Sequence, residues 1–310
     1  MKTFHSVENF SSQTQTVLTI GTFDGVHIGH KKILQRLLST AKQHNLESLV
    51  LTFFPHPRMV LQKDTEIKLI HTIDERKNIL AQLGLDNLII QPFSKEFSRL
   101  SATEFVRDVL VDKLNVKHII VGYDHRFGRN RTANIDALKE FGDIYDFTVE
   151  EISAQDINDV AVSSTKIRKA LTEGHIQTAN RYLDDTFQLN GIVTKGKGIG
   201  RTIHFPTANV SVTEDYKMIP KNGVYIATAT IGNETYQGMM NIGYNPTVNG
   251  TSQSIEIHLF NFDNDIYNKN ITINVLKRLR DESKFDSVNA LKLQLKKDKE
   301  EALTFFESHD

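Results

Sequence analysis

Two histidines three residues apart, His27 and His30, stand in the stretch Thr19-Ile20-Gly21-Thr22-Phe23-Asp24-Gly25-Val26-His27-Ile28-Gly29-His30. Residues at that spacing share one helix face, so both imidazoles can reach a single phosphate chain. The glycines at 21, 25 and 29 let backbone and ligand approach closely. Free N–H groups and the positive end of a helix dipole favour an anion at such a turn. Gly21, Phe23, Asp24 and Gly25 are therefore candidate nucleotide contacts beside the two histidines. A zinc pair or two surface histidines are the competing readings. Zinc calls for further ligands at characteristic spacing, and the chain has no cysteine and no His-Glu-x-x-His.

A second candidate phosphate clamp is Ser163-Ser164-Thr165-Lys166-Ile167-Arg168, with hydroxyls at a helix start and a guanidinium behind them. Read alone, it is better taken as a capped helix with solvated basic residues, and only beside the His27/His30 turn does the clamp become the better reading. Val121 to Arg131, including Asp124 and His125, is polar, glycine-bearing and basic; it suits a nucleotide or acceptor site, or a plain loop. Phe54-Pro55-His56-Pro57 is a stiff segment that suits a binding wall or a purely structural turn.

Further along, Gly196-Lys197-Gly198-Ile199-Gly200-Arg201 precedes Phe205-Pro206-Thr207-Ala208-Asn209. Glycine-rich backbone with Lys197 and Arg201 can wrap phosphates, and the Thr207 hydroxyl and Asn209 carbonyl are hard oxygen ligands suited to Mg²⁺. The run is not a Walker loop, because Gly198 occupies the Ser/Thr position. In Ile255-Glu256-Ile257-His258-Leu259, Glu256 and His258 project opposite the aliphatic side chains. Glu256 is a candidate base for an attacking hydroxyl, or an ordinary exposed strand residue. Asn241 to Thr247 reads as turn chemistry.

These groups need elements to hold them. From 17 to 152, short apolar runs at 17–20, 49–53, 88–90, 119–121 and 147–152 alternate with helical patterns near 31–44, 74–83, 102–114 and 135–141. That rhythm predicts a parallel sheet with helices on both faces, and ligands beyond the carboxyl ends of its strands. Two helical patterns follow between 163 and 183. From about 188, six short strand candidates separated by Gly, Asn and Pro predict a small antiparallel barrel. Val288, Leu291, Leu295, Leu303 and Phe306 predict a terminal helix. The domain boundary is expected near Asp185, giving 1–185 and 186–310.

The chain has 310 residues, with 37 Lys and Arg against 38 Asp and Glu, so it lacks the basic excess of a nucleic-acid binder. Without cysteine there is no disulfide framework, thiolate metal site or cysteine nucleophile. Met1 to Ser12 has no apolar leader core and no run approaches a membrane span, so a cytoplasmic protein is expected.

His27-Ile28-Gly29-His30 resembles the His-x-Gly-His signature of adenylyl- and cytidylyltransferases. Taken in order over roughly residues 15–300, the motifs resemble the bacterial bifunctional riboflavin kinase/FMN adenylyltransferases, also called FAD synthetases. That resemblance implies a Rossmann-like nucleotidyltransferase sheet followed by a riboflavin-kinase barrel, with riboflavin, FMN, FAD and ATP as substrates and products. It implies Mg²⁺, ATP as co-substrate, no tightly bound cofactor, and no nucleic-acid, membrane or obligatory protein partner. Carried over, His27 and His30 resemble the phosphate-gripping histidines, and Ser164, Thr165 and Arg168 the second phosphate motif. Asp124 falls near the nucleotide, Thr207 and Asn209 resemble Mg²⁺–ATP ligands, Glu256 the base, and Arg280 a position near the flavin. Three positions depart from the pattern: His204 and Ala133 stand where glycine is usual, and His125 where phenylalanine is common. A different nucleotidyltransferase fused to a binding barrel, or an RNA-binding flavin sensor, are the rival readings.

Overall fold

The computed structural model describes residues 1–62, 67–153, 162–196, 198–247 and 250–308. The chain divides into two compact units, Met1–Ser164 and Thr165–Asp310.

The first unit is built on six parallel strands, β1 (Lys2–Phe4), β2 (Thr16–Ile20), β3 (Glu47–Phe54), β4 (Asn87–Pro92), β5 (Val116–Gly122) and β6 (Thr148–Ile152), in the order β1-β4-β3-β2-β5-β6. The sequence predicts five of them. It misses β1, whose three residues are too few to show a pattern and which pairs with β4 from Lys2↔Asn87 to Phe4↔Ile89. All five residues of β2 are buried, as expected for a strand covered on both faces. Alternation still sorts its side chains. Leu18 and Ile20 join Leu49, Leu51, Ile119 and Val121 in one core, packed by Val106, Leu110 and Leu138. Val17 joins Val50, Leu88 and Ile120 in the other, packed by Leu34, Leu37 and Leu80.

The helix Ile28–His44 follows β2 directly, buries Ile33, Leu34, Leu37 and Ala41, and ends at a left-handed Asn45. The predicted helix over 102–114 is shorter and partly wider-wound. A turn of α-helix at Ala102–Glu104 runs into a π-helical stretch, Phe105–Val111, that buries Phe105, Val106, Val109 and Leu110 together.

The second unit is a closed six-stranded antiparallel barrel of β7 (Phe187–Thr194), β8 (Ala208–Ser211), β9 (Gly223–Ile231), β10 (Glu234–Thr247), β11 (Gly250–Leu259) and β12 (Asn270–Arg280), ordered β10-β11-β8-β7-β12-β9. Asn241–Thr247, predicted as a turn, is the second half of β10 and pairs with β11 in unbroken register. Ladder hydrogen bonding overrides its turn-prone composition. Leu189, Ala227, Met240, Ile257 and Ile273 are fully buried. The terminal helix Val288–Glu307 lays Ala302 and Phe306 against Ile226, Met239 and Phe260, so the first half of β9 is buried on both of its faces.

The helices Ser164–Glu173 and Ile176–Leu183 pack with this barrel. Asn180 donates from Nδ2 to the Val275 carbonyl at 2.9 Å and accepts from the Phe187 N–H at 2.9 Å, while the Lys221 N–H donates to the Leu171 carbonyl at 2.9 Å.

Candidate functional sites

The first site is the connection from β2 to the helix Ile28–His44. Its backbone is unusual: Phe23, Gly25 and Val26 all have positive φ, at 47°, 94° and 34°. For a β-branched residue such as Val26 that region is strained. The strain is held by burial, since Phe23 and Val26 are 2% and 1% exposed. The turn brings the two histidines into a stack, ring centroids 3.7 Å apart and 15° between planes, with Phe23 tilted against His30 at 5.0 Å.

His27 caps the helix, its Nδ1 accepting from the His30 N–H at 3.3 Å. An accepting Nδ1 puts the proton of the neutral ring on Nε2. Burial pushes His27 down to about 4 against the pull of Asp24. It also holds His30 well below the ordinary histidine value, reinforced by the charges of His27, Arg76 and His71. Both rings are therefore neutral hydrogen-bonding groups near pH 7. Nδ1 of His30 is buried without a hydrogen-bond partner among the described residues.

Asp24 is 1% exposed, and its carboxylate accepts from the N–H groups of Ile70 at 3.0 Å and His71 at 3.2 Å. Arg76, also 1% exposed, places Nη2 3.9 Å from Asp24 and donates from Nη1 to the Thr52 hydroxyl, which in turn donates to the Thr22 carbonyl. Asp24 thus acts from inside the turn. Arg76 goes unnoticed in the sequence. The signal is a cation on the apolar side of its helix, four residues before Leu80 and behind the Thr72/Glu75 capping box.

Ser164 joins this turn by donating from Oγ to the Asp24 carbonyl at 2.8 Å. Thr165 is exposed and Arg168 half-buried on the helix that Ser164 begins. Asp124 is exposed just beyond β5, and His125 stacks on Phe127 at 6.1 Å with its ring pushed down to about 4 by burial. Gly21 and Gly25 lie within the turn, where a Cβ at Gly21 would press on the Phe23 ring at 3.1 Å. Elsewhere in this unit an open pocket of about 420 Å³ combines the Leu61 side chain with Lys95, Arg99, Arg129 and Asn130.

The second site lies on the outer face of β8 and β11. Their register sets Glu256 directly opposite Asn209. Thr207, one residue before β8, donates from Oγ1 to Oε2 of Glu256 at 2.9 Å. Three residues from two separate motifs therefore converge, while Ile255, Ile257 and Leu259 point into the core. The glycine loop folds onto them. A Cβ on Gly196 would collide with the Asn209 carboxamide, and one on Gly200 with the Phe205 carbonyl. Gly198 is left-handed, φ 70°, and starts the short helix Ile199–Thr202. Lys197 lies outside the described residues. Arg201 reaches Tyr267, donating from Nη2 to its hydroxyl at 3.3 Å, a partner the sequence does not reveal.

The donor set of hydroxyl, carboxamide and carboxylate suits a hard cation. Among the described residues no group of three His, Asp or Glu could hold a metal ion. His204 is exposed and left-handed, φ 64°. That conformation favours glycine.

Arg280 is occupied: Nε and Nη2 bind Asp298 at 3.0 and 2.7 Å, and Nη1 donates to the Asp281 carbonyl at 3.0 Å. Asp298 is buried on the terminal helix and also accepts from Gln294. The guanidinium thus fixes both the terminal helix and the segment after β12.

The sequence profile of the FAD synthetase family matches residues 9–166, and that of the riboflavin kinase family matches 183–306. Proteins described as bifunctional riboflavin kinase/FMN adenylyltransferase are 36% identical in Buchnera aphidicola subsp. Schizaphis graminum, over 99% of both chains. In Bacillus subtilis the identity is also 36%, over 99% of this chain and 98% of that one. A crystal structure described as a macrolide-efflux protein from Streptococcus pneumoniae aligns with a TM-score of 0.88 and 30% identity, over 96% of this chain and 97% of that one. No helix among the described residues is long and apolar enough to cross a membrane.

Proposed function

The chain belongs to the family of bifunctional riboflavin kinase/FMN adenylyltransferases, and from that premise we propose which of its side chains carry each step. Its two reactions are phosphorylation of riboflavin by ATP to give FMN, and transfer of AMP from a second ATP to FMN to give FAD and pyrophosphate. The observation that supports the assignment is that each unit gathers its own motif residues, the stacked His27 and His30 in one and Thr207, Asn209 and Glu256 in the other.

In the barrel, the carboxylate of Glu256 takes the proton of the ribityl 5′-hydroxyl. The freed oxygen attacks the γ-phosphorus and ADP leaves. Thr207 and Asn209 would hold Mg²⁺, which would neutralise phosphate charge there. Gly196, Lys197, Gly198 and Arg201 wrap the ATP phosphates. Arg280 acts beside the flavin by shaping the segment after β12, through its bond to the Asp281 carbonyl.

In the first unit the FMN phosphate attacks the α-phosphorus and pyrophosphate leaves. That nucleophile is already ionised near pH 7, so positioning and charge stabilisation dominate. His27 donates from Nε2 to the phosphate chain, and His30 acts beside it as a second neutral imidazole. The positive charge comes from Arg168 and the helix start. Gly21, Phe23 and Gly25 shape the turn that receives ATP, with Asp24 holding it from inside; Ser164, Thr165 and Asp124 complete the nucleotide contacts.

The adenylyltransferase half is placed at 1–185 and the kinase half at 186–310. By motif the helices between Ser164 and Leu183 belong to the first half, and by packing to the second unit. The protein works in the cytoplasm, with ATP as co-substrate and no tightly bound cofactor.

The test is product analysis. Protein incubated with ATP, Mg²⁺ and either riboflavin or FMN yields FAD from both. FMN alone from riboflavin, with none consumed in the second reaction, removes the His27/His30 assignment; FAD only from FMN removes the barrel assignment.

A further inference from the structure

His258 lies two residues beyond Glu256 on β11 and on the same face, yet it is 8% exposed where Glu256 is half-exposed. Its ring sits against Phe205 at 5.3 Å and Phe260 at 5.7 Å. Its Nδ1 is 2.7 Å from the Pro206 carbonyl. A carbonyl only accepts, so Nδ1 carries the proton and donates it. Pro206 immediately precedes Thr207, and that carbonyl belongs to the peptide group linking the two. Thr207 itself stands just outside the ladder of β8 with β11, which runs from Ala208 to Val210. The backbone that delivers its hydroxyl to Glu256 is therefore held at Pro206 from the side of β11.

We infer that His258 is a positioning residue of the kinase site. Its Nδ1–H on the Pro206 carbonyl fixes the peptide entering Thr207, and so aims the Thr207 hydroxyl at Glu256 and at the metal–ATP site. One strand thus supplies both the base and the brace for the opposing ligand. The inference rests on the roles proposed above for Thr207 and Glu256.

The decisive comparison uses the full chain with H258L, H258N and H258Q. Asparagine can present an amide donor near the place of Nδ1, glutamine presents it one bond farther out, and leucine has none. Riboflavin phosphorylation is measured as kcat and as KM for ATP. FAD formation from FMN in the same samples reports on the other half. Hydrogen exchange over residues 205–211, in protein without nucleotide or metal, reads the brace directly.

H258L is expected to lose about tenfold or more in kcat/KM for phosphorylation, the scale of one oriented hydrogen bond. H258N should return to within about threefold and H258Q should remain impaired, while FAD formation from FMN stays unchanged. Exchange over 205–211 should quicken in H258L and slow again in H258N. Equal impairment of H258N and H258L, activity of H258L within about twofold of the parent, or unchanged exchange would overturn the inference. Should H258L fail to fold, H258N against H258Q decides in the same way. T207A and E256Q are assayed alongside. Full phosphorylation by both sinks the kinase-site reading itself, whereas their inactivity with H258L active sinks only the role of His258.

Discussion

The turn from Gly21 to His30 and the face shared by β8 and β11, the two phosphate sites proposed above, are built in opposite ways. In the turn, backbone strain at Phe23 and Val26 is locked by buried side chains, and the imidazoles stack within a network of Asp24, Arg76, Thr52 and Ser164. On the barrel, strand register sets Asn209 opposite Glu256, and the side chains stand on a half-open outer face above an aliphatic core. A site made of the core couples chemistry to stability. A site laid on a ladder keeps them apart.

The sharpest way to break this comparison is a reciprocal pair of substitutions. Glu256→Gln should lower riboflavin phosphorylation by about a thousandfold, the scale of general-base catalysis, while leaving stability within about 0.5 kcal/mol. His30→Ala should lower FAD formation from FMN by about a hundredfold and also destabilise the first unit measurably. Activity assays from riboflavin and from FMN, paired with denaturant melts, read both quantities. Loss of both activities in either folded variant would dissolve the division into two sites.

A smaller effect sharpens the contrast through pH. His27 titrates near 6.5 when unfolded and at about 4 in the buried turn, so between those values the unfolded chain binds more protons. The contribution is complete above about 6.5 and is lost as pH falls toward 4, amounting to about 3 kcal/mol if His27 acts alone. Denaturant melts followed by a residue-specific probe in β2 should show that decline. His27→Gln should flatten the slope; an unchanged slope would place the proton linkage elsewhere. Smallest of all, His204→Gly should raise barrel stability by up to about 1 kcal/mol, because glycine relieves the left-handed strain but adds freedom to the unfolded chain. A thermal melt of the two proteins decides it.

Much of this construction was legible in the residues. The apolar runs of β2 to β6, the alternation in Ile255 to Leu259 and the helical stripe ending at Phe306 all correspond to elements seen. The residues of the barrel site were legible one by one because each stands in a motif, and the register of β8 with β11 then sets Asn209 opposite Glu256. What sequence reading missed is pairings in which one partner, Arg76 or Asp298, stands outside any motif. Arg76 meets Asp24 from 52 positions away, and Arg280 at the end of β12 meets Asp298 on the terminal helix. Each pair includes a charged residue seated in an otherwise apolar stripe, Arg76 before Leu80 and Asp298 between Leu295 and Ala302. Such interruptions were the visible trace of partners that only the fold identifies. Short β1 left no comparable trace, and the strand at Asn241–Thr247 was hidden by residues that favour turns.

The placement of Asn180 has a consequence for any attempt to express the halves as separate polypeptides. Its amide serves the Phe187 N–H and the Val275 carbonyl at once, so a barrel fragment beginning at 186 would leave both groups of its own ladder margin without that partner. A fragment beginning at Ser164 would keep them, while removing from the other fragment the helix that carries Thr165 and Arg168. A single cut at either place thus takes the Ser164–Glu173 helix from the first polypeptide or the Asn180 partner from the barrel.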